Sequence, residues 1–312
     1  MTPESESLPQ GIESILDFIR WGASRMNEAG VYFGHGTAEA LDEAAALTLC
    51  ALHLPPGLAP PYLEAKLSAE ERRRLVALFD RRIDDRLPAA YLTNEAWFAG
   101  HPFFVDARVL VPRSPIAELI QRRFHPWVER PGGALRILDL CTGSGCIGIA
   151  CAHAFQRAQV DMTDLSEAAL EVAELNVIEH GLSHRVAVMA SDMFTGLEDH
   201  EYDLIVSNPP YVPLEDMEEL PDEYLREPEL GLVAGTNGLD FVAVILAEAA
   251  RFLAPGGTLV VEAGASWRRV ADAWPHIPFH WQTFKRGGEG VFVLTAEELQ
   301  RGGNDPLPSA GA

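Results

Sequence analysis

Nowhere in the 312 residues is there an uninterrupted apolar run of the roughly 18 to 20 residues that a membrane-crossing helix needs. The opening stretch, Met1 to Gln10, is polar, acidic and proline-bearing, unlike the basic-then-apolar pattern of an export leader. These absences predict a soluble, unexported chain with no membrane partner. Cysteine is scarce: Cys50, Cys141, Cys146 and Cys151 are all there is, and three of them fall in a glycine-rich and apolar run. A disulfide framework is not expected, so a reducing cytoplasm fits. Recurrence every five residues from Cys141 to Cys151 brings no four ligands to one face, and no histidine cluster accompanies them, so no metal is expected. Cationic residues are also few, 24 against 46 acidic ones, for a formal charge of −22. That sign repels a phosphate backbone and removes the non-specific attraction behind most nucleic-acid binding, so no direct DNA binding is expected. A basic partner would be attracted.

Hydrophobic residues make up 47% and charged residues 22%, the ordinary range of a globular chain, and the length suits one large domain with a smaller companion. Ile12, Ile15, Leu16, Ile19, Ala23 and Met26 recur at helical spacing, and further helical patterns span residues 38–54 and 68–87, separated by Pro55, Pro56, Pro60 and Pro61. Residues 1–90 therefore read as a small helical domain. From Tyr91 to Val111 aromatic and β-branched residues (Trp97, Phe98, Phe103, Phe104, Val105) alternate with Gly100, Pro102 and Asp106, which predicts a β-hairpin linker over 91–112.

Beyond it, residues 113–300 alternate short buried strands with helices. The strand-like runs are RILDL from Arg136, QVDMTD from Gln159, VAVMAS from Val186, YDLIVS from Tyr202 and TLVVEAG from Thr258, then the closing pair FHWQTF and GVFVLT. Such alternation predicts an α/β domain on a doubly wound, mostly parallel sheet of seven strands with an antiparallel edge. Residues 301–312, rich in Gly, Pro and Ser, read as a disordered tail.

The first of these strands runs into Cys141-Thr142-Gly143-Ser144-Gly145-Cys146-Ile147-Gly148, a glycine-rich turn at the entry to a helix. Glycines there permit tight backbone geometry and close approach to a ligand. Gly143, Gly145 and Gly148 spell a dinucleotide fingerprint, and Asp164, 21 residues after Gly143, suits a ribose-binding acid, so NAD and S-adenosylmethionine both fit this pattern. Asp139, at the strand's carboxyl end, tilts the choice: it could face an amino group, whereas it would repel a pyrophosphate. Asp192, closing the third strand, could accept a hydrogen bond from an adenine amine.

The sharpest signal is Asn208-Pro209-Pro210-Tyr211 at the end of the fourth strand. Two adjacent prolines fix their own backbone angles and donate no backbone hydrogen bond, which stiffens the loop. Its acceptors are then the Asn208 side-chain oxygen and the Pro209 carbonyl, with the Tyr211 ring as a flat wall. Two acceptors match the two N–H donors of a primary amide or aromatic amine, so the pattern selects a planar nitrogen held in line with a methyl donor. Accepting both bonds also stabilises positive charge as it develops on that nitrogen.

These residues resemble the HemK-type protein glutamine methyltransferases, over essentially the whole chain from Ile12 to Thr295. Asp139, Thr142, Gly143, Ser144 and Gly145 fall on that family's cofactor loop, Asp164 on its ribose acid, and Asn208 to Tyr211 on its catalytic motif. Trp21, the segment Tyr32 to Thr37, Tyr91 to Asn94 and Val111 to Pro115 are similar to the branch that modifies a ribosomal protein. At the last of these places the release-factor branch carries Pro-Arg-Pro-Glu-Thr. The resemblance implies a class I, Rossmann-like methyltransferase with S-adenosylmethionine as cofactor. The implied reaction is N(5)-methylation of one glutamine in ribosomal protein uL3 of the large subunit. Ala265 departs from the asparagine or glutamine usual at its place.

Other features read as packing. His35, between two glycines, suits a turn or interdomain hydrogen bond, and the hairpin aromatics suit a packing face. The competing functions are a nucleic-acid amine methyltransferase, an NAD(P)-dependent oxidoreductase, which leaves Asn208 to Tyr211 unexplained, and a non-catalytic ribosome-assembly module.

Overall fold

The computed structural model describes residues 9–128, 133–197 and 200–302. They fall into two compact units, one of Met1–Glu95 with Pro221–Arg226 and one of Ala96–Leu220 with Glu227–Ala312.

The first unit is helical: α1 Ile15–Glu28, α2 Ala40–Ala51, α3 Ala69–Asp84 and α4 Ala89–Thr93. Its starts are written in local chemistry. Ser14 accepts the Asp17 N–H while Asp17 accepts that of Ser14, and Ser68 and Glu71 do the same for α3. Phe18, Met26, Leu47, Leu75 and Phe79 fill the core with no exposed surface. The Arg82 side chain, equally buried, donates to Glu43 at 2.6 Å, to the Tyr32 carbonyl at 2.9 Å and to Glu223 at 3.2 Å. Glu223 comes from the short segment Pro221–Arg226, and His35 packs 4.7 Å from its neighbour Tyr224.

The expected hairpin is shorter than its pattern. Residues 91–93 complete α4, because Asn94 adopts a left-handed conformation (φ 55°) that stops the helix. The ladder is β1 Glu95–Phe98 and β2 His101–Phe104, turned by Ala99 and Gly100, both at positive φ, as a two-residue hairpin turn requires. Phe98 and Phe103 enter the core, whereas Trp97 is 57% exposed.

The second unit follows the predicted alternation: α5 Ile116–Gln121, β3 Arg136–Leu140, α6 Cys146–Ala154, β4 Gln159–Asp164, α7 Glu167–Glu179, β5 Val186–Ala190 and β6 Tyr202–Ser207. After them come α8 Asp240–Glu248, β7 Leu253–Glu262, α9 Trp267–Ala273, β8 His280–Trp281, β9 Val291–Thr295 and α10 Ala296–Gly302. The sheet has seven strands in the order β5-β4-β3-β6-β7-β9-β8. β3 pairs parallel with β4 and β6, and β9 pairs antiparallel with β7 and β8. Ile137, Leu138, Leu204, Ile205, Val206 and Val260 are fully buried, which is why these strands read as continuous apolar runs.

Of the expected disordered tail, Arg301 and Gly302 close α10, and 303–312 lie outside the described residues. Among the described residues no helix is long and apolar enough to cross a membrane.

Candidate active site

A cavity opens where the carboxyl ends of β3, β4 and β6 meet, the place at which an open α/β sheet leaves room for a ligand. Order changes direction at β3, so the loops after β3 and β4 diverge from those after β6.

The glycine-rich turn forms one wall. Gly143 (φ 56°) and Gly145 (φ 81°) take left-handed backbone, and so does Cys141 (φ 57°), a conformation uncommon without glycine. The turn is braced from below. Thr142 donates its N–H to the Thr163 carbonyl at 2.9 Å and its hydroxyl to Asp139 at 2.6 Å, while the Gly148 N–H reaches the same Asp139 oxygen at 2.8 Å. Asn176, buried on α7, donates to the Ser144 carbonyl at 2.8 Å.

Asp139 therefore sits behind the wall and not among the residues that line the cavity. It is fully buried, its Oδ1 has no partner among the described residues, and burial pushes its pKa up to about 7. Its other oxygen takes the Gly148 N–H, so one donor in the first turn of α6 is already engaged and a carboxylate stands behind the helix end that would cradle a pyrophosphate. That weighs against the dinucleotide reading.

Thr142, Gly143, Ser144, Asp164, Asp192 and Asn208 all line the cavity. Asp164 accepts the N–H groups of Gly143 and Ser166, each at 2.9 Å, and burial nevertheless raises its pKa. Asp192 is exposed at the rim, two residues past β5. Cys141 and Cys146 also line the space, but burial pushes the Cys146 thiol up to about 12 and that of Cys141 further, so neither offers a thiolate.

Opposite lies the tetrapeptide. Asn208, Pro209, Pro210 and Tyr211 all face the cavity, and the prolines are buried. The Asn208 Oδ1 is inaccessible to solvent and makes no hydrogen bond among the described residues. A buried amide oxygen left without a donor costs about 1–3 kcal/mol, which makes this oxygen a candidate acceptor. Tyr211 is fixed from three sides. Its carbonyl accepts the Ser266 hydroxyl at 2.7 Å, its own hydroxyl makes a long 3.5 Å contact with Glu262, and its ring lies flat on Gly264, where a Cβ would collide with it.

A second set of supporting residues carries no signal in local sequence. Arg113 clasps Glu227 through both terminal nitrogens, at 2.7 and 2.6 Å, and the Val111 N–H donates to the same carboxylate at 2.8 Å. The Ser114 hydroxyl donates to Glu262 at 2.5 Å, and burial raises that carboxyl to about 7. Arg113 and Ser114 line the cavity, whereas Ala265 is exposed. The similarity of Val111 to Pro115 to a family segment was the one sequence signal for this edge. Asn176, Glu227, Glu262 and Ser266 act across long separations that no spacing rule reaches.

The chain is similar to known methyltransferases. Residues 128–223 match the family model described as the methyltransferase small domain. The chain is 50% identical over 290 residues to a ribosomal protein uL3 glutamine methyltransferase of Xanthomonas campestris pv. campestris, covering 92% of this chain and 93% of that one. To the protein of the same description from Neisseria meningitidis serogroup B it is 48% identical, covering 93% and 95%. Among solved structures it is similar to a methyltransferase from Pyrococcus furiosus at 19% identity, with a TM-score of 0.45 over 62% of this chain and 88% of that one.

Proposed function

Because the chain belongs to the ribosomal protein uL3 glutamine methyltransferases and uses S-adenosylmethionine, we propose that it methylates the side-chain amide of one glutamine in uL3 at the cavity bounded by Asn208 to Tyr211. The observation that carries the residue assignment is the buried Oδ1 of Asn208 on the cavity wall, without a partner among the described residues.

An amide nitrogen is a poor nucleophile because its lone pair is delocalised into the carbonyl. In this reading Asn208 Oδ1 accepts one amide N–H and the Pro209 carbonyl accepts the other. The nitrogen is thereby oriented, and the positive charge that grows on it as the new C–N bond forms is stabilised. The Tyr211 ring, immobilised by Gly264 and Ser266, keeps the amide planar against one face and excludes water. The chain's part is positioning and electrostatics: the S–CH3 bond would break as the C–N bond forms, leaving a neutral thioether, and the strongly acidic N-protonated amide so formed would lose its proton to solvent, with no strong base required. S-adenosylmethionine supplies an electrophilic methyl group on a sulfonium. Thr142, Gly143 and Ser144 would hold it with Asp164 on its ribose and Asp192 on its adenine amine, while Gly145, which does not line the cavity and packs toward Met162 and Ala173, and Asp139 support the loop from behind.

The chemistry in this reading uses only the second unit, which leaves residues 1–90 for substrate recognition. A formal charge of −22 favours a basic partner such as a ribosomal protein and disfavours nucleic acid. The cytoplasm, where ribosomal proteins are made, is the matching compartment.

The test is methyl transfer from labelled S-adenosylmethionine to purified uL3, with the modified residue located by mass spectrometry. One methylated glutamine is expected. Labelling of protein-free RNA with none on uL3 would overturn the substrate assignment.

A further inference from the structure

Far from the cavity, three histidines that are well separated in sequence meet. His101 begins β2, His153 lies in the last turn of α6 and His180 caps the carboxyl end of α7. One ring nitrogen of each lies within 4.8 Å of the other two. His101 stacks on His153 with centroids 4.3 Å apart, and His153 Nε2 is 3.1 Å from His180 Nδ1. We propose that His101, His153 and His180 form a binding site for one divalent transition-metal cation of the Zn2+ type, stapling the β-hairpin to α6 and α7.

Three features argue for a cation. The pair His153 and His180 already has the separation of two ligands on one ion, since nitrogens about 2.0–2.1 Å from a tetrahedral centre stand about 3.3 Å apart. The other nitrogen of His180, Nε2, is 2.9 Å from the Pro102 carbonyl, which can only accept. That contact puts the ring proton on Nε2 and leaves the Nδ1 lone pair directed at His153, the arrangement by which a backbone carbonyl orients a metal-bound imidazole. His180 also stands at the carboxyl end of α7, a 13-residue helix whose dipole favours positive charge there.

One competing charge, Arg185, is held in place away from the ring nitrogens by neutral carbonyls. Arg185 faces His153 but spends its guanidinium on the Ala152, Phe155 and Ala158 carbonyls. All three histidines are half-buried, so an ion can reach them, and imidazole nitrogens select zinc, copper or nickel over magnesium or calcium. Binding displaces the shared proton between His153 and His180, and turning the His101 ring out of its stack on His153 completes three ligands with water as the fourth. Seven residues separate His153 from Cys146, about 10 Å along the helix, so the ion is structural and takes no part in methyl transfer.

The experiment is calorimetric titration of the full, tag-free chain with ZnCl2, alongside His153→Gln, His180→Gln and the triple variant that adds His101→Gln. Folding of each variant is checked by retained S-adenosylhomocysteine binding. One Zn2+ per chain is expected, with affinity falling at least about a hundredfold in either single variant. Ring 15N resonances of His153 and His180 in the unsubstituted chain should shift on adding one equivalent of Zn2+. No binding by the unsubstituted chain, unmoved ring resonances, or equal affinity in a folded triple variant would each overturn the proposal.

Discussion

Arg113 and Glu227 face each other as a two-pronged ion pair at 2.7 and 2.6 Å, and the Glu227 side chain has no exposed surface. The same carboxylate takes the Val111 N–H, and one residue further on Ser114 reaches Glu262. Residues 111–114 are thus tied on one side to the loop after the tetrapeptide and on the other to the end of β7, whose carboxylate also meets Tyr211. The cavity edge is one connected polar network, and its members stand or fall together.

Arg113→Met should destabilise the second unit by about 3 kcal/mol, because it strands a buried carboxylate whose solvation was removed on folding. The double variant Arg113→Met, Glu227→Leu should recover much of that loss, since it removes both charges. Urea unfolding of the natural chain, Arg113→Met, Glu227→Leu and the double variant measures this. If the double variant is as unstable as the sum of its parts, the pair contributes only packing.

At Asn208, stability and activity should separate. Replacing it with alanine deletes a buried acceptor that has no partner among the described residues, so the melting temperature should hold or rise. The same change should lower kcat on uL3 by at least about a hundredfold, the usual cost of losing one acceptor or donor aimed at developing charge. Unaltered kcat in Asn208→Ala rejects the proposed mechanism.

Glu262 sets a pH dependence with a definite sign. Burial raises its pKa from 4.5 to about 7, so between those values the folded chain holds a proton that the unfolded chain has released. Its stabilising contribution is complete below about pH 4.5 and is lost as pH rises to about 7. At about 1.4 kcal/mol per unit, the loss is about 3 kcal/mol. Glu262→Gln still accepts from Ser114 but does not titrate. Unfolding free energies at pH 5 and pH 8 should fall more steeply in the natural chain than in this variant, and parallel slopes would reject the assignment.

The strands and the tetrapeptide were legible because local rules wrote them. β3 and β6 are buried on both faces, so Ile137, Leu138, Leu204 and Ile205 appear as continuous apolar runs, and Asn208 to Tyr211 specify rigidity through proline alone. Asp139 was legible as a residue but not as a position. Sequence put it at a strand end where it could face an amino group, and in the fold its carboxylate accepts from the Thr142 hydroxyl and the Gly148 N–H. Tyr91 to Asn94 read as strand by composition, and the local turn at Asn94 overrode that preference. Glu227, Glu262 and the meeting of His101, His153 and His180 depend on long-range placement, which hydrophobic periodicity does not encode.

The first unit makes the same point at Arg82. Its guanidinium is wholly buried and satisfied by two carboxylates and a carbonyl, of which Glu43 lies on α2 and Glu223 on the segment Pro221–Arg226. Without Arg82, Glu43 and Glu223 would share a site whose remaining cation is the less buried Arg86, 3.5 Å from Glu223, and the cheapest relief is for one to leave. Glu43 is held in α2 and also accepts from Thr37 at 2.7 Å, so Glu223 is the one that departs, taking its six-residue segment with it. Arg82→Met should therefore cost about 3–5 kcal/mol and open residues 221–226 to limited proteolysis. Adding Glu223→Gln should restore protection by removing the second charge. A single variant as protease-resistant as the natural chain would show that apolar packing, and not this ion cluster, holds the segment in place.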